Sequence, residues 1–369
     1  MPDQHEVIQG LQLVRELRLG ERQAEGPLVV FPIFANGDGA AGAAEAGAGA
    51  AGGEDAAPRR RRPRFITLRQ ALAEGRALIT EVSEGGSVPE LRVVNKGDAR
   101  ILVLDGEELR GAKQNRVLST TILIDKYSTL VVPVSCTEQG RWAYATREFA
   151  ESEILAERQV RYAMKTSVHA AVSSGAGVHA DQGAVWSEVE GLHRKHGTHS
   201  RTGAMRDAYE GKKHDLDRVL AAFPLIDGQT GVLVLHGSRV VGLDLVSRAP
   251  QYAELHDKLL RSYAFEALVQ GGEPGDRPVA EEFLERVGGL AGQRFKSPGL
   301  GWDVRFEGGG VLGSALVYRG HAVHAAFFDV GGAGDVGGAS GSADAPAPDR
   351  RPSWRIADAR ERARRRESH

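Results

Sequence analysis

The sequence predicts an α+β fold, and three features of the chain carry that prediction. Its first ordered part has short apolar runs separated by turn residues, which is typical of antiparallel strands. The middle of the chain spaces its apolar residues three and four apart, as amphipathic helices do. The last part returns to strands around two helical segments. Strands and helices in separate runs favour α+β over the alternating pattern of a parallel sheet.

Composition divides the 369 residues into five parts. They are an N-terminal segment (1–27), an antiparallel β-rich part (28–147), a helical middle (148–230), a smaller β/α/β part (231–330) and a Gly/Ala linker with an Arg-rich tail (331–369). Residues 36–64 form a Gly/Ala-rich insertion that ends in a run of arginines. We expect the insertion and the tail to be disordered, because such compositions bury too little apolar surface to order the chain.

The β-rich part contains five apolar runs and one helical segment. The runs predict strands at 28–31, 91–94, 100–104, 115–124 and 129–136, with a helix at 67–72 that leads into a further strand at 77–85. Residues 96–98 and 125–128 have turn composition, so the sheet should be antiparallel.

The helical middle and the C-terminal part are predicted from their periodicity. Ile154, Leu155, Arg158, Tyr162 and Lys165 fall at helix spacing, a second helix contains Trp186, Val189 and His193, and Ser200 or Thr202 can cap a third. The C-terminal part predicts a hairpin at 231–246 turned at 236–238, helices at 252–269 and 279–287, and strands within 302–309, 313–320 and 321–329.

Charge and composition exclude several classes of protein. The formal net charge of −2 gives no field that would attract nucleic acid or acidic lipid. Cys136 is the single cysteine, so no internal disulfide forms, which fits a reducing compartment. The N-terminus has no apolar signal-peptide region, and no apolar run reaches the about 20 residues of a membrane-spanning helix. We therefore expect a cytoplasmic protein.

Two polar segments stand at the ends of predicted strands. LDGEELRGAKQNR (104–116) precedes one strand, and SCTEQGRW (135–142) ends the next. If the turn at 125–128 joins these strands as a hairpin, Val117 faces Cys136 and Asn115 faces Glu138. The two segments then meet at one end of the sheet, although a slip of one residue exchanges the faces.

The side chains of these segments suit an anionic ligand. Lys113, Arg116 and Arg141 offer cationic donors for phosphate, Gln114, Asn115 and Gln139 offer amides, Glu107, Glu108 and Glu138 are candidate acid/base groups, and Trp142 can stack on a ring. The alternative is a network of surface ion pairs that stabilises the hairpin end and binds nothing.

Other residues that suggest chemistry give weaker signals. Cys136 ends an apolar run, which favours a buried small side chain over a nucleophile. His193, His196 and His199 have no carboxylate or cysteine at a zinc-like spacing, so no metal site is expected. No glycine-rich loop precedes a helix, and no Walker or G-x-S-x-G motif occurs, which argues against common NTPases, dinucleotide dehydrogenases and α/β-hydrolases.

The strings at 104–116 and 133–142 resemble the ARG and Rhodanese-Phosphatase-superfamily-associated Protein domain family. Supporting matches are TEVSEGGSVPELRVVN (80–95), ADQGAVW (180–186), GVLVLHGSRVVGLDLV (231–246) and GSALVYRGHAVHAAFF (313–328), and the resemblance spans 28–330. The resemblance implies an association with ADP-ribosylglycohydrolase-like and rhodanese-phosphatase-like proteins. It also implies a role near ADP-ribose or nucleotide-phosphate processing. The family brings no assigned catalytic residue.

Three functional hypotheses follow. The first is that the two polar segments bind or process an anionic nucleotide-type ligand resembling ADP-ribose. The second is a non-catalytic adaptor for a partner glycohydrolase or phosphatase. The third is a metal-dependent hydrolase that uses Glu107, Glu108 and Glu138. The sequence indicates no particular cofactor, and it gives no reason to expect a membrane or nucleic acid as a partner.

Overall fold

The computed structural model of the chain describes residues 8–35, 62–83, 89–141, 144–269 and 271–330. The predicted α+β class is confirmed, with β-rich sheets, helices in the middle and strands at the C-terminal side. The predicted tail, most of the predicted insertion and Trp142 lie outside the described residues.

The described residues form eight helices. They are α1 (Gly10–Val14), α2 (Leu68–Ala73), α3 (Arg158–Ser173), α4 (Gln182–His196), α5 (Met205–Gly211), α6 (Lys213–Ala221), α7 (Ala249–Ala267) and α8 (Arg277–Gly288). Polar residues fix the starts of the two long middle helices. Carboxylates of Glu157 and Asp181 accept hydrogen bonds from the first free amides of α3 and α4, and Gly197 ends α4 in the left-handed conformation.

Nineteen strands occur in the same described ranges. They are β1 (Ile8–Gln9), β2 (Leu17–Leu19), β3 (Gln23–Glu25), β4 (Leu28–Ala35), β5 (Ile66–Thr67), β6 (Ala77–Glu81), β7 (Glu90–Asn95), β8 (Ile101–Val103), β9 (Glu107–Gly111), β10 (Arg116–Leu118), β11 (Ile122–Ile124), β12 (Ser128–Cys136), β13 (Phe149–Leu155), β14 (Gly231–His236), β15 (Arg239–Val246), β16 (Ala291–Lys296), β17 (Trp302–Gly308), β18 (Val311–Tyr318) and β19 (His321–Asp329).

A ten-stranded antiparallel sheet contains the C-terminal strands. Its order is β1-β16-β17-β18-β19-β15-β14-β4-β2, with β3 also paired to β4. Strand β4 joins this sheet from the N-terminal side of the chain, where Val30 pairs with Val234. Because side chains alternate between faces, one face packs on α3 and α7 and the other on α8.

Two smaller sheets enclose a third apolar core. One has the order β13-β9-β10-β12-β7-β6, and the other has the order β11-β8-β5. Their inner residues include Leu91, Leu109, Ile122 and Val132, each with no exposed surface. The two polar segments predicted from the sequence lie at the end of the six-stranded sheet.

Three secondary-structure predictions were wrong. The strand predicted at 115–124 is two strands, because β10 pairs with β12 whereas β11 leaves to pair with β8 in the other sheet. Ile154 and Leu155 lie in strand β13 instead of a helix. The predicted third middle helix is two helices, α5 and α6. Within the described part of the chain, no helix is long and apolar enough to span a membrane.

Candidate functional site

The two polar segments meet where β10 pairs with β12. Arg116 lies opposite Cys136 and Val117 lies opposite Ser135, which is one residue from the register that the sequence predicts. The convergence of the segments does not depend on that slip, because the backbone N–H of Thr137 also donates to the carbonyl of Asn115 at 3.1 Å. The slip does decide which side chains share a face of the sheet.

Arg141 links the two segments through its guanidinium group. Its Nε and Nη2 donate to the Glu138 carboxylate at 2.9 and 2.7 Å. Nη1 donates to the carbonyl of Ala112 at 2.8 Å, and Nη2 donates to Asn115 Oδ1 at 3.2 Å. The backbone N–H of Asn115 donates to Glu138 at 3.2 Å. These bonds give the cluster a fixed geometry, since a guanidinium holds several acceptors in one plane.

Glu107 and Arg116 point into the protein and have no exposed surface. Glu107 accepts hydrogen bonds from Lys258 Nζ at 2.7 Å and from the backbone N–H of Leu104 at 2.9 Å. Arg116 contacts the Cys136 sulfur and lies 3.7 Å from the Glu81 carboxylate. These groups support the site from within, because a ligand on the surface does not reach them.

Cys136 is buried, as the sequence predicts. Burial raises the pKa of its thiol to about 11, against the opposing charge of Arg116. The side chain of Gln182 fixes its backbone, accepting from its N–H at 2.7 Å and donating to its carbonyl at 2.8 Å. A thiol with this pKa is protonated at neutral pH and is a poor nucleophile.

Glu108, like Glu107, is a fully buried acid of the cluster. Burial raises its pKa to about 7, although Thr137 Oγ1 donates to Oε1 at 2.8 Å. A side-chain hydrogen bond from Ser152 also opposes the rise in pKa. A carboxylic acid that titrates near neutral pH can both donate and accept a proton, which is the property required of a general acid or base.

The outer side of the cluster is cationic and aromatic. Lys113 is half-buried, with Nζ 5.2 Å from the ring centroid of Tyr144, whose side chain is half-exposed. Gln139 is exposed, and Gln114 Nε2 lies 3.5 Å from its carbonyl oxygen. Trp142, the predicted stacking residue, lies outside the described residues. Lys113, Gln139 and the part-exposed Arg141 are therefore the predicted residues that a ligand can reach.

A second polar cluster, which was not predicted from the sequence, lies between the large sheet and the turn after β8. Arg161 donates through both terminal nitrogens to Asp244, at 2.8 and 2.7 Å. Lys165 Nζ lies 3.0 Å from Asp105 and 2.6 Å from Ser314 Oγ. All five side chains are at least nine-tenths buried. We call this set, with Thr121, Tyr263 and His324, the buried charged centre.

The charges of the centre balance one another. Burial opposes ionisation of both carboxyls, but Lys165 and Arg161 hold the pKa of Asp105 well below its usual range, and Arg161 lowers that of Asp244 to about 2. His324 lies 2.9 Å from Thr121 Oγ1 through Nδ1 and 3.3 Å from Asp244 through Nε2. These contacts tie the β8–β9 turn, helix α3 and the large sheet to one another.

The sequence does contain a signal for the buried charged centre. Asp244 and His324 each stand inside a run of apolar strand residues, GLDLV and HAVHAAFF. A charged residue that alternation places on a buried face must have a buried partner. Arg161 and Lys165 are four apart on α3 and therefore share one face of that helix.

In the described ranges, no three His, Cys, Asp or Glu side chains lie close enough together to hold a metal ion. The three glutamates considered for a metal have separate protein partners instead. Glu107 contacts Lys258, Glu108 contacts Thr137 and Glu138 contacts Arg141.

Comparison with known protein families tests the family resemblance that the motifs suggest. The pattern of the ARG and Rhodanese-Phosphatase-superfamily-associated Protein domain matches residues 16–328. The chain belongs to this family. The match includes both polar segments and every residue of the buried charged centre, so the resemblance seen in the sequence is confirmed. No curated protein and no solved structure matches the chain. The family name records an association with rhodanese-phosphatase superfamily proteins.

Proposed function

We propose that the cluster formed by residues 104–116 and 135–141 binds an anionic nucleotide-type ligand resembling ADP-ribose. The observation that carries this proposal is the Arg141 linkage, which holds cationic and amide groups from two distant segments in one fixed arrangement. Preorganised donors bind phosphate without the entropy cost of ordering flexible side chains. The family association with rhodanese-phosphatase superfamily proteins supports a phosphate-bearing ligand.

Each reachable group has a role in this proposal. Lys113 and the part-exposed Arg141 contact phosphate, and Gln139 orients the sugar. Tyr144 offers a half-exposed ring for the base. Glu107 and Arg116 do not contact the ligand; they support the site by fixing strands β9 and β10.

Glu108 has no exposed surface, so the proposal assigns this site binding of the ligand and gives Glu108 no direct contact with it. The pKa of about 7 gives Glu108 a protonated population at neutral pH.

Calorimetric titration with ADP-ribose tests the binding site. Lys113→Ala should raise the Kd at least about tenfold, since it removes a charged contact without touching the buried network. Arg194→Ala is the control, because Arg194 is a surface residue of α4 that pairs with exposed Glu190. An unchanged Kd in Lys113→Ala, or no binding by the natural protein, would overturn the proposal.

An adaptor role is the second candidate, and the family association favours it. The protein would bind a rhodanese-phosphatase-like or ADP-ribosylglycohydrolase-like partner. Leu225 and Ile226 are adjacent and 41% and 40% exposed, so they offer an apolar contact on the loop after α6. Replacing both by serine should abolish copurification with such a partner and leave ADP-ribose titration unchanged. Copurification that survives the replacement contradicts this surface.

A further inference from the structure

A crevice with a volume of about 660 Å³ lies at one end of the large sheet, away from the polar cluster. Its floor is apolar and includes Leu13, Leu245 and Val317, which continue the core between the sheet and α8. Its rim is cationic. Among the described residues that line it, three arginines (Arg62, Arg294 and Arg319) stand against one carboxylate, Glu16. The volume is in the range of small-molecule sites, about 300–1,000 Å³.

An aromatic platform occupies one side of the crevice. Trp302 is 43% exposed, which is unusual for so large an apolar side chain. The guanidinium of Arg294 stacks on its ring, 4.3 Å from the centroid. This cation–π contact fixes the indole plane, and the exposed remainder of the ring can stack on a flat heterocycle.

One further cation of the crevice, Arg62, lies several strands away from Trp302. Trp302 pairs with Val317, and Val317 pairs with Ala322, so the crevice crosses adjacent strands β17, β18 and β19. Beyond β19, Arg62 Nη1 donates to the carbonyl of Ser247 at 2.9 Å. Strands are about 4.8 Å apart, so the backbone at Ser247, which Arg62 contacts, lies about 14 Å from the backbone of Trp302. This span suits an elongated ligand with a ring at one end and negative charge along its length.

Arg319 occupies a strained position on the rim. It follows β18 in a two-residue turn, with φ of 54° at Arg319 and 82° at Gly320. Such turns favour asparagine or glycine at the first position, because a longer side chain is strained in the left-handed region. The guanidinium of Arg319 lies over the ring of Tyr318, 5.3 Å from its centroid, and Arg319 also lines the crevice, so its positive charge lies at the site.

We propose that this crevice is a second ligand site, which binds a nucleoside phosphate with its base on Trp302 and its phosphate at Arg319. The inference does not depend on the polar cluster, because it rests on different residues at a different sheet end. An inorganic anion would use the arginines but not the indole. A purely apolar ligand would use the floor but not the rim.

Calorimetry with AMP and with ribose 5-phosphate tests the site. Arg319→Asn should weaken binding of both compounds at least about tenfold, and it keeps the turn because asparagine suits this conformation. Trp302→Leu should weaken AMP about tenfold and leave ribose 5-phosphate unchanged, because only AMP carries a base. Arg194→Ala, on the exposed surface of α4 and outside both proposed sites, is the matched control and should leave both compounds unaffected.

The outcomes separate the two sites. Weaker AMP binding in both Arg319→Asn and Trp302→Leu, with Arg194→Ala unchanged, supports the crevice, whatever the result of the ADP-ribose titration with Lys113→Ala. Equal effects of Trp302→Leu on AMP and ribose 5-phosphate overturn the assignment of the base. Absence of AMP binding by the natural protein, or AMP binding that both crevice variants retain, overturns the site.

Discussion

Replacement of Glu108 by glutamine should change how the stability of the protein depends on pH. In the folded protein, burial raises the pKa of Glu108 from 4.5 to about 7, whereas the unfolded chain keeps the ordinary value. Between these two values the folded state holds a proton that the unfolded state has lost. The free energy of unfolding therefore decreases as pH rises through this window, because deprotonation favours the unfolded chain.

The size of the effect follows from the shift. A pKa raised from 4.5 to about 7 lowers the unfolding free energy by about 3 kcal/mol at about pH 8, relative to a group that does not titrate. Glutamine has nearly the same shape and no titration. Its variant should match the natural protein within about 1 kcal/mol at about pH 5 and exceed it by up to about 3 kcal/mol at about pH 8.

Urea unfolding at a series of pH values measures this difference. Glu157, whose pKa burial and Glu266 also raise to about 7, stays in both proteins and cancels from the comparison. Glu190→Gln is the control, because that carboxylate is on the surface of α4. Profiles for the natural protein and Glu108→Gln that run parallel across the whole pH range would refute the buried, neutral-acid account of Glu108.

Three further predictions concern other parts of the fold. Asp244→Asn should lower the unfolding free energy by about 3–5 kcal/mol in urea titrations, because it leaves the buried guanidinium of Arg161 without its full counter-charge; a loss below about 1 kcal/mol contradicts the ion pairing. Arg319→Asn should raise the unfolding free energy by up to about 1 kcal/mol through relief of backbone strain, and a destabilised variant would argue against that strain. Cys136 should react with a disulfide reagent only as fast as the protein unfolds, since its pKa is raised to about 11; stoichiometric labelling of the native protein within minutes contradicts this.

Individual helices and hairpins were predictable from the sequence, because their periodicity and turn residues lie within a short stretch of the chain. Helices α4 and α8 lie close to their predicted positions, and the hairpin of β14 and β15 turns at Gly237 and Ser238. The pairing of β4 with β14 was not predictable, because it joins residues about two hundred positions apart and nothing in either strand specifies the partner. Strand pairing over such distances depends on the whole fold.

Strand β9, which holds part of the candidate site, was not predicted because its composition is polar. Strand β9 contains Glu107, Glu108 and Arg110, and a run of such residues is typical of a loop. It is a strand because Lys258 from α7 binds Glu107, and Thr137 from the end of β12 binds Glu108. These partners are supplied by distant segments, so the sequence around β9 contains no trace of them. The convergence of the two polar segments was predictable, because it requires only neighbouring strands.

Charge balance distinguishes polar groups that hold the fold from those that suit a ligand. In the buried charged centre, carboxylates match the cations of Arg161 and Lys165 at hydrogen-bond distance, so the centre has no excess charge to attract an anion. At the polar cluster, Glu138 matches Arg141, while Lys113 adds positive charge on the outer side. The crevice is lined, among the described residues, by three arginines and one glutamate. Anion binding should therefore follow the surfaces where cations outnumber carboxylates, and the centre should act through stability alone.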